Sequence, residues 1–167
     1  MDTATFYATT SAVSFTLLGF WWVVVQFRHE EMTGDPGRRR LAFVVSLHFI
    51  LPGIMSLGAL LTGNVPVVWQ LTFGLAGIAG MIAVVLASRG VQNPTGAIAA
   101  IGRWEWLALP LYAILTLVAI DPELLKGSDL SALQVEGIVM TLLVLIGIMF
   151  AWLLFTDPSA RPLDAPD

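Results

Sequence analysis

The chain has 167 residues, 57% of them apolar and 12% charged, with a formal net charge of −4 and a mean hydropathy of +0.83. A soluble domain carries about twice that share of charge, and the few basic residues form no positive face for nucleic acid. There is no cysteine, which removes disulfides, thiolate metal sites and thiol chemistry.

An apolar run of roughly 20 residues spans the hydrocarbon of a bilayer, and the chain has room for five. The expected fold is all-α: a polytopic bundle of five transmembrane helices over residues 1–156, with a disordered cytoplasmic tail at 157–167. The first span, 6–27, opens after Asp2 without a positive n-region and runs too long before Arg28 to be a cleavable signal peptide. The hinge HEEMTGDPGRRR follows. Its Gly-Asp-Pro-Gly core interrupts a helix, because proline lacks the donor and glycine favours turns. The second span covers 41–61, and Thr62-Gly63-Asn64 turns the chain into the third, 67–88. A break is expected at Asn93-Pro94, then a fourth span at 104–120. The loop DPELLKGSD leads to the fifth, 130–155, with Asp129 as its expected N-cap. The second and fourth spans each carry one proline, Pro52 and Pro110, and each is followed by a span with which it forms a hairpin. That is a weak hint of duplication.

Charge supplies the orientation. Arg28, Arg38, Arg39, Arg40, Arg89, Arg103 and Arg161 fall on one set of connections and Lys126 alone on the other. Cytoplasmic loops retain positive charge, so the N-terminus is expected outside and the C-terminus inside the plasma (inner) membrane. Trp21, Trp22, Trp104, Trp106 and Trp152 lie near the inner ends of their spans, as an aromatic belt requires.

Polar side chains at membrane depth are costly and therefore informative. His48 lies eight residues past Arg40, roughly 12 Å along a helix. Pro52, four residues on, removes the donor for the carbonyl of residue 48, and Ser56 continues the same face. Such a kink can hold water, an ion or a proton relay, or simply shape packing. Glu136, near the outer boundary, shares a face with Met140, Leu143 and Gly147. Gln70, Ser11 and Ser14 sit at comparable outer depth, with Tyr7 beside them. Together these residues are candidates for a polar pathway, although interhelical hydrogen bonds of the same kind also hold bundles together. Glu105, between two tryptophans and next to Arg103, reads as an interfacial anchor. Ala76, Gly80, Ala83 and Ala87 form a small-residue packing stripe extended by Thr72, Gly74 and Gly77. It marks the third span as the expected central helix, or as a contact with a second copy.

No nucleophile–His–acid set, HExxH or paired-carboxylate motif is present, so the chain is expected to be no enzyme and to need no cofactor or metal. His29 and His48 lie at different depths, which disfavours haem. Two functional classes remain. One is conduction or transport of protons or small cations by a homo-oligomer. The other is an accessory or assembly subunit docking on a larger membrane complex. Polar groups on several spans, with a proline next to the intramembrane His, favour transport.

Overall fold

Asp35 starts the longest helix among the described residues. Its backbone is extended (φ −105°, ψ 120°) and its carboxylate accepts the Gly37 N–H at 2.9 Å. Pro36 occupies the first helical position, where a missing N–H costs nothing. The computed structural model describes residues 2–63, 65–88 and 96–156. The expected Asn93-Pro94 break, Arg89, Arg161 and the 157–167 tail lie outside them. The helices are α1 (Thr3–Phe27), α2 (His29–Gly34), α3 (Pro36–Leu61), α4 (Val67–Ser88), α5 (Gly96–Trp104), α6 (Ala108–Ile120) and α7 (Ala132–Thr156). Single 3₁₀ turns occupy Glu105–Leu107 and Pro122–Leu125. All elements among the described residues are helical. Five helical stretches are long and apolar enough to cross a membrane: Thr3–Phe27, Pro36–Leu61, Val67–Ala87, Ala99–Ile120 and Ala132–Thr156.

The hinge is narrower than its composition suggests. Only Asp35 leaves helical geometry between α2 and α3, so Arg38, Arg39 and Arg40 ride on the first turns of α3 instead of a loop. Arg38 is buried there. At the start of α1, Asp2 accepts from the Ala4 N–H at 3.0 Å and the Thr5 hydroxyl at 3.1 Å. Those bonds, the Ala4 amide first, hold its carboxyl below the usual carboxylate value.

The helices pack as a ring in chain order, α1 on α3, α3 on α4, α4 on α6, α6 on α7 and α7 back on α1. Helix α3 also reaches across to α7. The central helix is therefore α3, not α4 as the small-residue stripe suggested: 61% of the most apolar stretch of α3 is buried, against 33% for α4. The stripe serves close approach to single neighbours instead. A Cβ on Gly77 would collide with the Thr116 hydroxyl, and one on Gly80 with the Tyr112 ring, so α4 lies tight on α6. Gly58 of α3 leaves room for Thr72 of α4 in the same way. Ala76 and Ala87 are buried and Ala83 is half-buried.

Two further local expectations change. The α7 N-terminus is capped by Ser131, not Asp129. The Ser131 hydroxyl accepts the Gln134 N–H at 3.3 Å, and the Gln134 side chain accepts the Ser131 N–H at 2.8 Å, a reciprocal capping box. Trp22, Trp104, Trp106 and Trp152 are exposed, but Trp21 is buried and donates to the Ala42 carbonyl at 3.0 Å. It ties α1 to α3 and is not part of the belt. Pro52 lies inside α3, whereas Pro110 is the third residue of α6, where the first turn needs no donor. The two prolines are thus not equivalent.

Arg28 closes the end of the bundle that carries most of the arginines. It donates to the Phe155 carbonyl at 2.7 Å and to Leu154 at 3.5 Å, pairs with Glu31, and stands over the Phe155 ring. The last turn of α7 is thereby capped by a cation, as its dipole favours.

Candidate functional site

Buried polar side chains collect at two levels of the bundle. The level farther from the arginines is built by α1, α3 and α7. Tyr7 is buried, and its hydroxyl donates to the Leu133 carbonyl at 2.6 Å. Its ring stands edge-on to Phe73 of α4. Glu136, one turn along α7 from Leu133, is 0% exposed, lies within electrostatic reach of Tyr7, and has no hydrogen-bond partner on either carboxyl oxygen. Ser11 donates to the Gly53 carbonyl at 3.5 Å, a weak bond. The hydroxyls of Ser14 and Ser56 are fully buried without partners. Buried polar atoms are nearly always paired, so this concentration of unpaired oxygens is the strongest anomaly of the structure.

The second level lies toward the arginines. His48 of α3 is 1% exposed, and its Nδ1 stands 2.9 Å from the Val44 carbonyl. A carbonyl only accepts, so that nitrogen carries the hydrogen. Nε2 is left as the acceptor, buried and without a partner. Pro52 withholds the N–H that would meet the His48 carbonyl, so imidazole and free carbonyl belong to one residue. The ring is flanked by Tyr112 (centroids 6.0 Å apart) and Phe150 (5.6 Å). The Tyr112 hydroxyl is also buried and unpartnered.

Glu105 lies seven residues before Tyr112, nearer the arginines. Trp104 and Trp106 on either side are exposed, whereas the Glu105 side chain is buried, within electrostatic reach of Arg40 and Tyr112. An interfacial anchor would face outward, so this side chain is not one. Glu105, Ala108, Tyr112, Leu115 and Ala119 are all buried at helical spacing. That period was present in the chain and was masked by the flanking tryptophans. Tyr112 carries the same signal: the chain has two tyrosines, both buried inside apolar helices.

Of the sequence candidates, the structure brings Ser11, Ser14 and Ser56 to buried positions in the α1–α3 part of the bundle, with Glu136 buried on α7. His48 and Pro52 sit earlier on α3 than Ser56, nearer its arginine end. Gln70 goes elsewhere: it is half-buried and lines a groove of about 300 Å³ between α4 and α6 with Gly74, Ala119 and Ile120. Among the described residues no three metal-ligating side chains cluster. No family model, curated protein or solved structure matches the chain.

Proposed function

We propose that the chain is a multi-pass protein of the plasma (inner) membrane that conducts protons along its buried polar line. Its N-terminus faces out and its arginine end faces the cytoplasm. The observation that carries this reading is the Glu136 carboxyl, fully buried with neither oxygen paired. An ionised carboxylate there would stand uncompensated, at a cost of several kcal/mol, so the group holds a proton or a cation. Carboxyl, imidazole and phenol side chains in one interior are proton-exchanging groups, which favours the proton.

Along α7 the eleven residues from Glu136 to Gly147, which faces His48, span roughly 16 Å. Bridging that interval takes internal water, and the unpaired Ser14 and Ser56 hydroxyls are suitable partners for it. At His48 the proton enters at Nε2 while Nδ1 keeps its hydrogen on Val44. Because these groups lie inside a single copy, flux through them needs no homo-oligomer. Docking on a larger complex through the α4 stripe has less support, since Gly77 and Gly80 already pack on α6.

The test is proton flux in liposomes holding purified protein and a pH-sensitive dye, driven by a potassium diffusion potential. Wild type should acidify or alkalinise the lumen well above empty vesicles. Glu136→Gln and His48→Ala should each lower the rate tenfold or more. Wild-type flux equal to that of empty vesicles would overturn the reading.

A further inference from the structure

We infer that Glu105 is the group that releases protons at the arginine end of this line, with Arg40 as its counter-charge and Tyr112 linking it to His48. The inference rests on the proton-conducting reading and adds its exit.

Three observations carry it. First, the 3₁₀ turn Glu105–Leu107 interrupts the fourth apolar stretch and turns Glu105 inward while Trp104 and Trp106 face out. A carboxyl at the boundary of a bundle gains hydration by facing outward, so inward burial sets it against a cost that a purely anchoring role does not explain. Second, Glu105 Oε1 and Arg40 Nη1 are both buried and both lack hydrogen-bond partners, although the two residues interact electrostatically. An ion pair held for stability alone would close those bonds. Left open, the pair can compensate the carboxylate and still take up a proton. Third, Tyr112 lies seven residues on, on the same face, and the missing side chain of Gly80 makes room for its ring beside His48. Its hydroxyl is buried and unpartnered, and Tyr112 neighbours His48 and lies within electrostatic reach of Glu105.

The His48 imidazolium gives its Nε2 proton through internal water to the Tyr112 oxygen, as the Tyr112 O–H proton passes through water to the Glu105 carboxylate. Water carries both transfers because His48 Nε2, the Tyr112 hydroxyl and Glu105 Oε1 make no direct hydrogen bond. In net, one N–H and one O–H bond break and two O–H bonds form. His48 returns to neutral imidazole and Tyr112 to phenol. The Glu105 acid then loses its proton to water at the arginine end, and the carboxylate faces Arg40 again. The other charged side chain buried here is Arg38, also on α3.

The experiment uses the full chain in the same liposomes with Glu105→Gln, Glu105→Asp and Tyr112→Phe, each first checked for helical content and a single size-exclusion peak. Glu105→Gln and Tyr112→Phe should each lower flux tenfold or more. Glu105→Asp should restore most of it with a displaced pH profile, which a merely structural role would not produce. One component of the carboxyl C=O infrared band that grows on acidification should be missing in Glu105→Gln. Flux of Glu105→Gln or Tyr112→Phe within twofold of wild type, while Glu136→Gln is inactive, would overturn the exit and leave the Glu136–His48 reading standing. Absence of wild-type flux would overturn both.

Discussion

Gly147 of α7 and His48 of α3 meet so closely that a Cβ on Gly147 would stand 2.7 Å from the His48 Cβ and 3.0 Å from the Phe49 ring. One residue without a side chain thus sets the distance between the central helix and the last one. Gly147→Ala should push α3 and α7 apart and destabilise the bundle by about 1–3 kcal/mol, the usual cost of overpacking. Thermal unfolding in detergent reads it. Gly19→Ala is the control, because nothing lies within 4 Å of a Cβ there, and it should show no loss.

Tyr7→Phe removes the 2.6 Å bond to the Leu133 carbonyl and keeps the ring against Phe73. Interhelical bonds of this kind contribute about 0.6–2 kcal/mol, and the variant should lose a comparable amount in the same melt. Thr9→Ala should lose less, since the Thr9 hydroxyl only bonds back to Thr5 one turn earlier on an exposed face. Equal melting temperatures for Tyr7→Phe and wild type would show that the bond contributes nothing.

Orientation is tested by single cysteines, for which the cysteine-free chain needs no background substitutions. Gly34→Cys has open space around its Cβ, and Ser128→Cys lies in the exposed α6–α7 connection. A membrane-impermeant maleimide on intact cells should label Ser128→Cys and should reach Gly34→Cys only after permeabilisation. The reverse pattern would invert the proposed topology.

Arg28→Ala removes the cap on α7 together with the Glu31 pair. Hydrogen exchange of the last α7 amides should accelerate severalfold, and stability should fall by about 1 kcal/mol. Arg28→Lys should recover only part of this, because an ammonium cannot match the fork that spans Glu31 and two carbonyls.

Hydropathy made the five apolar runs legible because a helix that crosses hydrocarbon must be long and apolar whatever its neighbours are. Partners were less legible because they depend on which face turns inward. The small residues of α4 are real close-approach positions, but close approach to α6 does not make a helix central. Position at the centre came from α3, whose inward face mixes Arg38, His48 and Ser56 with apolar residues and so gives no clean stripe. Asp129 is a good capping residue, yet it lies too far before Ala132, and the Ser131–Gln134 pair satisfies two amides where an aspartate satisfies one. Trp21 and Trp22 look identical in composition, and the helical period alone separates the buried ring from the exposed one. The unpaired polar atoms of Glu136 and His48 lie at positions that depth and helix face single out, with Pro52 marking His48 further. Tryptophans at a boundary suggest an anchor at Glu105, and depth alone groups Gln70 with residues that it does not join.

Helix α7 brings Gly147 to His48, the Leu133 carbonyl to Tyr7, and Glu136 into the interior. It is the last of these helices to leave the ribosome. Without α7, His48 loses the backbone of Gly147 beside it and Tyr7 loses its acceptor. The interior around His48 and Tyr7 is therefore closed only by the docking of α7, and removal of residues 132–156 should leave the other four apolar stretches without a stable bundle.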